Sequence, residues 1–255
     1  MATASTSTKQ LIVITGASSG IGEATAKVFV EQGHPVLMLA RREDRLTAIV
    51  KSLTESFPDA PTPLASSVDV TDMDAIKAAI LVAEEKYGPV SLLVNNAGCM
   101  LLGDVATQKA DEWKRMLDVN VIGVLNGIQA VLSGMIERKE GTVINVSSIA
   151  GFKAFPNHAA YCGTKYAVHG ITETIRQETS KHGLRHILVS PGVVSTELLS
   201  HTTSEDIKSG YESWKESMGH PLVPVDVANV ILFAYQQPKH VCLREIVVGP
   251  TYQDA

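Results

Sequence analysis

The chain of 255 residues is predicted to fold as an α/β protein with a doubly wound parallel sheet. Strand-like apolar runs alternate with helical stretches along the sequence, which is the order that repeated strand-helix-strand units produce. The strands have the apolar character of strands that are covered on both faces. A hydrophobic fraction of 45% and a charged fraction of 19% are compatible with one domain, residues 1–255, that has a sizeable core.

The elements are expected in the following order along the chain. Seven short, mostly apolar runs are predicted strands, at 11–14, 36–39, 64–68, 92–94, 142–146, 185–189 and 245–248. Longer helical patterns lie between them, at 23–32, 43–56, 72–86, 111–137, 159–181 and 225–236. Right-handed crossovers would place helices on both faces of the sheet. Ligands of such sheets bind beyond the carboxyl ends of the strands, where Gly16, Asn96 and Ser148 are expected to emerge.

Charge and cysteine content disfavour several classes of partner. The net charge is −5 and the isoelectric point is near 5.9, so neither nucleic acid nor an anionic membrane surface is expected as a principal partner. The three cysteines include no C-x-x-C pair, which suggests neither a disulfide framework nor a zinc site. Residues 1–9 are predicted to form a polar tail without signal-peptide character, and no apolar run is expected to reach bilayer length. A cytoplasmic location is therefore expected.

A glycine-rich turn joins the first strand to the first helix in L-I-V-I-T-G-A-S-S-G-I-G. Gly16, Gly20 and Gly22 permit a tight turn, close approach of a ligand and close packing of helix on strand. The helix N-terminus offers free N–H groups to a pyrophosphate. The spacing differs from G-x-G-x-x-G, and the Gly-Lys-Ser/Thr ending of a P-loop is missing. An ordinary glycine turn is the alternative, although it accounts poorly for three glycines here.

A second pattern, Y-C-G-T-K, places Tyr161 and Lys165 four residues apart on a predicted helix, so that both side chains project from one face. An ammonium beside a phenol favours the phenolate and would lower the phenol pKa into a range useful for proton transfer. Ser147 and Ser148 follow a strand and would expose a hydroxyl nearby. Taken alone, such a pair is most often an aromatic ring packed on an aliphatic stem, and that interpretation would be favoured if nothing else in the sequence agreed.

These patterns occur together in an order that resembles the short-chain dehydrogenases/reductases. The matching motifs are T-G-A-S-S-G-I-G (15–22), N-N-A-G (95–98), D-V-N-V with Asn120, S-S-I-A-G with Ser148, Y-C-G-T-K (161–165) and S-P-G-V-V-S-T (190–196). The interval of thirteen residues from Ser148 to Tyr161 also matches the family. The resemblance implies a Rossmann fold and covers nearly the whole chain.

The resemblance implies four catalytic residues, namely Asn120, Ser148, Tyr161 and Lys165. Tyr161 would exchange a proton with the substrate oxygen, Ser148 would hydrogen-bond that oxygen, and Lys165 would lower the tyrosine pKa and hold the nicotinamide ribose. Asn120 would support a proton path to solvent, or would simply bond or kink its helix. Ser147 competes with Ser148, and the interval to Tyr161 favours Ser148.

The resemblance also implies the cofactor contacts. Arg41 and Arg42 follow the second strand, where an acidic residue would favour NAD, so NADP(H) is expected. Glu43 or Asp44 would take the ribose if the register differed. Asp69 and Val70 would contact the adenine, although Asp69 could merely cap the next helix. The further expected contacts are Gly16, Ser18, Ser19, Gly20, Ile21, Gly22, Asn96, Ala97, Gly98, Tyr161, Lys165, Pro191, Gly192, Val194 and Thr196. Asn95 and Asn96 could instead stabilise the sheet, and no metal is expected.

Family members bind substrate against the variable segment after the P-G motif, here about 197–221. Its apolar side chains could form a pocket wall or simply an amphipathic helix docked on its own domain. They are Leu198, Leu199, Tyr211, Trp214 and Met218. Met100, Leu101, Leu102, Phe152 and Phe155 would complete an apolar pocket suited to a neutral ketone or alcohol. Three basic side chains, His158, His201 and Lys153, leave an anionic substrate such as a 3-hydroxy acid open.

The leading interpretation is an NADP(H)-dependent carbonyl reductase or alcohol dehydrogenase acting on a ketone, aldehyde or 3-oxo acid. The alternative is an NADPH-binding sensor or scaffold protein on the same fold, without turnover. An isomerase or epimerase with bound cofactor is less favoured, because such relatives usually differ in glycine spacing. The resemblance further implies a homodimer or homotetramer formed through the long helices up to the Tyr161 segment.

Overall fold

The computed structural model describes residues 9–253, which form one parallel sheet of seven strands. The strands are Leu11–Thr15 (β1), Val36–Ala40 (β2), Leu64–Ser67 (β3), Val90–Asn95 (β4), Thr142–Val146 (β5), Arg185–Pro191 (β6) and Glu245–Val248 (β7). Their spatial order is β3-β2-β1-β4-β5-β6-β7, so the winding reverses between β1 and β4. The predicted doubly wound fold and its seven strands are confirmed. Of the predicted polar tail, only Lys9 lies among the described residues.

Eight α-helices occur in residues 9–253. They are Gly20–Glu31 (α1), Glu43–Ser56 (α2), Met73–Tyr87 (α3), Ala110–Leu117 (α4), Gly123–Arg138 (α5), Ala159–Thr179 (α6), Glu205–Ser217 (α7) and Pro224–Gln236 (α8). The predicted helices agree with these to within a few residues, except that the single helix expected at 111–137 is divided. A π-helical turn, Asp118–Ile122, separates α4 from α5 and contains Asn120.

The sheet has one apolar core on each face. Alternate residues of β1 point to opposite sides, as the pleat requires. Ile12 belongs to the core beneath α1 and α8, where it is buried with Phe29 and Ile231. Val13 belongs to the core beneath α3, α5 and α6, which contains Ile76 and Ile128. This double cover explains why the central strands are apolar on both faces.

The run Ala110–Arg138 is long and apolar enough, by length and composition, to cross a bilayer. The expectation that no apolar run comes near that length is therefore wrong. A core helix of a water-soluble protein passes the same test, and α5 buries Val124, Ile128, Val131 and Met135 against the sheet.

Candidate functional site

A cleft of about 880 Å³ lies at the carboxyl ends of the central strands, at the switch point between β1 and β4. The glycine turn after β1, the residues after β2, β4 and β5, and the P-G segment at the end of β6 line it. Of the site residues predicted from the sequence, all but Gly22 and Asn120 line this one cleft.

The glycine turn requires glycine for reasons of space and of backbone conformation. Gly16 has φ +66°, and a Cβ there would lie 2.7 Å from the Cα of Ala97. A Cβ on Gly22 would lie 2.4 Å from the carbonyl oxygen of Gly16, so this glycine lets α1 pack on the turn. Ser19 is the N-cap of α1, and its side chain makes no capping hydrogen bond. The first-turn N–H groups of α1 therefore face the cleft end of the turn, where an anion would bind.

Arg42 is held against the glycine turn. Its Nε donates to Ser18 Oγ at 3.0 Å, and its Nη2 donates to Ser19 Oγ at 2.6 Å. Arg41 has a single ionic partner among the described residues, Asp69 at 3.9 Å. Both arginines line the cleft directly after β2, whereas Glu43 and Asp44, the alternative ribose partners, do not.

Asp69 lines the cleft and does not cap α3. Its Oδ1 accepts hydrogen bonds from the backbone N–H and the hydroxyl of Thr71, and α3 is capped by Asp72 instead. Burial alone would raise the Asp69 pKa, but the Thr71 hydrogen bonds and the nearby Arg41 hold the pKa below its ordinary value. The carboxylate is therefore charged at neutral pH.

The two asparagines after β4 have different surroundings. Asn95 is buried in the sheet and donates to Asn145 Oδ1 at 2.9 Å, which fits the structural alternative. Asn96 lines the cleft, and its amide donates to the carbonyl oxygens of Thr15 at 3.0 Å and Gly16 at 3.3 Å. Asn96 thereby fixes the glycine turn against the end of β4.

Tyr161 and Lys165 meet Ser148 at the centre of the cleft. Helix α6 carries the tyrosine and the lysine one turn apart, with Lys165 Nζ 5.8 Å from the Tyr161 ring centroid. Lys165 Nζ donates to the carbonyl oxygen of Val146 at 3.0 Å, which ties α6 to the end of β5. Ser148 Oγ accepts from the N–H of Ala150 at 3.1 Å, and the same side chain is near enough to Tyr161 to act on the pKa of its phenol. Ser147 Oγ is buried without a partner among residues 9–253.

Burial governs the electrostatics of this pair. It raises the Tyr161 pKa well above 10, and the nearby Ser148 side chain only partly opposes it. Desolvation of the phenolate is therefore the largest effect on the Tyr161 pKa among the described groups, and the lowering expected from Lys165 stays a prediction. Burial also lowers the Lys165 pKa to about 8. At neutral pH the phenol is protonated and the lysine is mostly charged.

Asn120 is buried outside the cleft lining, and its amide forms hydrogen bonds with the backbone of Cys99. Its Oδ1 accepts from the N–H of Cys99 at 2.9 Å, and its Nδ2 donates to the carbonyl oxygen of Cys99 at 2.9 Å and to Thr164 Oγ1 at 3.1 Å. Thr164 in turn donates to the carbonyl oxygen of Tyr161. The amide thus connects the segment after β4 to α6, the helix that carries Tyr161. The expected alternative was a bond or kink within its own helix; Asn120 does lie in the π-helical turn, but these bonds go to other elements.

The far end of the cleft is apolar and aromatic. Tyr211 and Trp214 of α7 stand edge to face with ring centroids 5.4 Å apart, and His158 lies 6.1 Å from Tyr211 and 6.2 Å from Tyr161. Met100, Leu102, Phe155, Leu198 and Leu199 also line it. Helix α7 therefore supplies a pocket wall and also docks on its own domain. Three of the predicted pocket residues, Leu101, Phe152 and Met218, do not line the cleft.

The three basic side chains expected near the substrate are two histidines with lowered pKa values and a lysine that lies outside the cleft lining. Burial lowers the pKa values of His158 and His201. Lys153 does not line the cleft, and Lys215, which does, is paired with Glu212. Asp206 adds a carboxylate to the lining. The basic groups predicted for the substrate end thus offer little positive charge for an anionic group, whereas Arg115, which also lines the cleft, was not predicted.

The residues present fit the expected dinucleotide. The cleft is lined by the N-terminal turn of α1, by Arg41 and Arg42 after β2, and by Lys165 of α6. Three lining residues carry buried polar atoms without a partner among residues 9–253, namely Ser147 Oγ, His201 Nδ1 and Gln253 Nε2, which are available to a ligand. Sequence reasoning missed Gln253 and the contacts of Glu197 with Arg42 and Arg45, because no local pattern indicates them.

Comparison with known proteins identifies the family. The family model described as short chain dehydrogenase matches residues 10–207. An uncharacterized oxidoreductase of Listeria monocytogenes is 38% identical over 246 residues, which cover 96% of this chain and 97% of that protein. A glycine betaine reductase of Emericella nidulans is 38% identical over 241 residues, covering 94% of this chain but only 19% of that larger protein.

Solved structures agree with this assignment. The closed form of a serine dehydrogenase complexed with NADP+ has a TM-score of 0.87 at 26% identity, covering 96% of this chain and 97% of that one. An actinorhodin polyketide ketoreductase variant with NADPH has a TM-score of 0.85 at 27% identity, covering 97% and 98%. The chain therefore belongs to the short-chain dehydrogenase family of oxidoreductases.

Proposed function

We propose that this protein is an NADP(H)-dependent oxidoreductase that interconverts a carbonyl group and an alcohol. One observation carries the proposal: Ser148, Tyr161 and Lys165 converge in the same cleft as the glycine turn and the arginine pair after β2. A protein that only bound the cofactor would need no hydroxyl, phenol and ammonium together beside the substrate space. The NADP+ and NADPH bound to the two similar solved structures support the choice of cofactor.

NADP(H), when bound, supplies or accepts the hydride, and the protein residues control position and charge. The first-turn N–H groups of α1 would hold the pyrophosphate, and Arg41 and Arg42 would hold the 2′-phosphate. Lys165 would orient the nicotinamide ribose. A carboxylate at the end of β2, which would repel that phosphate, is replaced here by Arg41.

Tyr161 would give its proton to the carbonyl oxygen in reduction and take it back in oxidation. The raised pKa of Tyr161 keeps the phenol protonated at neutral pH, which is the form that reduction requires. Ser148 would donate a hydrogen bond to the same oxygen and stabilise the negative charge that grows on it. Positive charge on Lys165 would favour the phenolate that oxidation requires.

The substrate end favours a neutral carbonyl compound over a 3-oxo acid or 3-hydroxy acid. Its walls are aromatic and aliphatic, its histidines have lowered pKa values, and Asp206 would repel a carboxylate. The names of the similar proteins mention serine, glycine betaine and a polyketide, so they do not single out one substrate. The aromatic rings and Asp206, which line the same cleft, also suit a quaternary ammonium group.

The experiment is an absorbance assay of NADPH consumption with substrates that differ in charge alone or nearly so. Betaine aldehyde and 3,3-dimethylbutanal have the same shape, and a 3-oxo acid supplies the anionic case. We expect turnover of the neutral aldehyde, weak or no turnover of the acid, and loss of turnover in Tyr161→Phe. NADPH binding without turnover of any carbonyl compound in a broad panel would favour the sensor or scaffold alternative.

We further propose a homodimer or homotetramer in the cytoplasm. The helical run α4 to α5 exposes Leu117, Ile122 and Leu125, apolar side chains that a second copy could cover. The free thiols of Cys99, Cys162 and Cys242 suit a reducing compartment. A monomeric mass in light scattering at micromolar concentration, or a secreted product on fractionation, would contradict the respective proposal.

A further inference from the structure

Glu197 reaches across the cleft entrance to the arginines after β2. It begins the short 3₁₀ turn Glu197–His201, directly after Thr196 at the proposed nicotinamide end. Its Oε2 accepts from Arg42 Nη1 at 2.9 Å, and both of its carboxylate oxygens lie 2.8 Å from Arg45 Nη1. Glu197 and Arg42 are 155 positions apart in sequence, so this contact closes a long loop of chain.

The contact uses the part of Arg42 that an incoming phosphate needs. Nε and Nη2 of Arg42 are already held by Ser18 and Ser19, and Nη1 is held by Glu197. These bonds use one N–H group on each nitrogen, three of the five that a guanidinium carries. A phosphate that approaches the Nη1 side of Arg42 competes there with the carboxylate of Glu197.

The neighbouring arginine is different. The Arg41 side chain is 58% exposed, and its single ionic partner among the described residues is Asp69 at 3.9 Å. Arg41 is therefore free to meet a phosphate first, whereas Nη1 of Arg42 already faces the carboxylate of Glu197. Of the three partners of Arg42, only Glu197 is an anion, and electrostatic repulsion with a phosphate makes it the one to leave.

We propose that Glu197 is an internal competitor of the cofactor 2′-phosphate for Arg42, and that it selectively weakens NADP(H) binding. The inference rests on the proposed binding of the 2′-phosphate by Arg41 and Arg42. NAD(H), which has no 2′-phosphate, leaves the contact between Glu197 and Arg42 undisturbed. A weakened hold on NADP(H) promotes cofactor release after turnover.

The Glu197 carboxylate is ionised at neutral pH. The hydrogen bonds from Arg42 and then Arg45 hold the Glu197 pKa below its ordinary value. Because the three side chains are 41 to 52% exposed, solvent screens the contact, and its effect on affinity is modest. Exposed ion pairs of this kind correspond to about a two- to fivefold change in a binding constant.

The test is a direct titration of NADPH and of NADH, followed by the change in nicotinamide fluorescence. Glu197→Gln keeps the size of the side chain and removes its charge. We expect it to bind NADPH about two- to fivefold more tightly than the wild type, with unchanged affinity for NADH. Unchanged or weaker NADPH binding would overturn the inference and make Glu197 a positioning residue for Arg42 or a neutral bystander.

Two controls make the result specific. Glu173→Gln removes a carboxylate that is 47% exposed and paired with Arg176 on α6, away from the cleft, and it should change neither affinity. In an Arg42→Gln background, Glu197→Gln should lose most of its effect on NADPH, because the contested donor is gone. A persistent full effect would refute competition for Arg42. Absence of NADPH binding by the wild type would instead defeat the proposed function itself.

Discussion

Replacing Asn120 with alanine should destabilise the protein much more than replacing Asn126, although both are buried asparagines of the same helical run. Asn120 makes three hydrogen bonds, two of them to the backbone N–H and carbonyl of Cys99. Asn126 makes one, from Nδ2 to the carbonyl oxygen of Val70 at 2.9 Å. We call the two hydrogen bonds from Asn120 to the Cys99 backbone the Cys99 clamp. Comparing the two alanine variants therefore compares the loss of this clamp with the loss of a single hydrogen bond.

The magnitude follows from the groups that each variant leaves unpaired. A buried polar group without a partner costs about 1–3 kcal/mol. Asn120→Ala leaves two such groups on Cys99 and weakens the tie to Thr164, so we expect a loss of about 2–5 kcal/mol of unfolding free energy. Asn126→Ala leaves the Val70 carbonyl alone, which corresponds to about 1–2 kcal/mol.

The assay is urea denaturation of both variants and the wild type at one protein concentration, because assembly would change the apparent stability. Equal losses of unfolding free energy in the two variants would refute the larger stabilisation that we assign to the Cys99 clamp. Full stability of Asn120→Ala together with lost turnover would assign Asn120 to proton transfer alone.

Three other perturbations have definite outcomes. Gly22→Ala should abolish NADPH binding in a fluorescence titration or prevent folding as seen by circular dichroism, because the new Cβ would lie 2.4 Å from the Gly16 carbonyl oxygen; normal binding would contradict the packing. Arg42→Gln should weaken NADPH binding about tenfold and leave NADH binding nearly unchanged, since charge-assisted hydrogen bonds contribute about 1.5–3 kcal/mol and Arg41 remains. Lys165→Met removes a buried charge, which the folded protein holds at a cost because burial lowers the Lys165 pKa to about 8, and it also removes the hydrogen bond to the Val146 carbonyl oxygen. Its stability relative to the wild type should fall as the pH rises from about 8 towards the unfolded-state value of 10.5, since the folded lysine is then neutral while the unfolded one is still protonated, and a constant difference in melting temperature would contradict the burial effect.

The strands were predictable because their signals are local. Each central strand is a short apolar run that ends where glycine, asparagine or serine follows, so β1, β4 and β5 and the polar residues after them could be placed from the sequence. The π-helical turn at Asp118–Ile122 had no such signal. It coincides with the bonds from Asn120 to Cys99 and Thr164, which exist only in the folded chain.

The differences between the predicted and the observed site also arise from tertiary structure. The motif places Lys165 one turn from Tyr161, but it does not reveal that desolvation is the largest effect on the tyrosine pKa. The pairing of Glu197 with Arg42 joins residues that are 155 positions apart, and neither neighbourhood contains a pattern that points to the other. Residue types at the ends of strands could be read from the sequence, whereas burial and distant ion pairs could not.

The most direct test of the account compares Tyr161→Phe with the wild type in two measurements, NADPH consumption with a neutral aldehyde and NADPH binding by fluorescence. A positioned proton donor contributes about 10²- to 10⁴-fold to rate, so turnover should fall at least about a hundredfold. NADPH affinity should stay nearly the same, because the ring and its packing remain. Turnover close to that of the wild type would show that Tyr161 does not carry the proton, and would contradict the proposed chemistry.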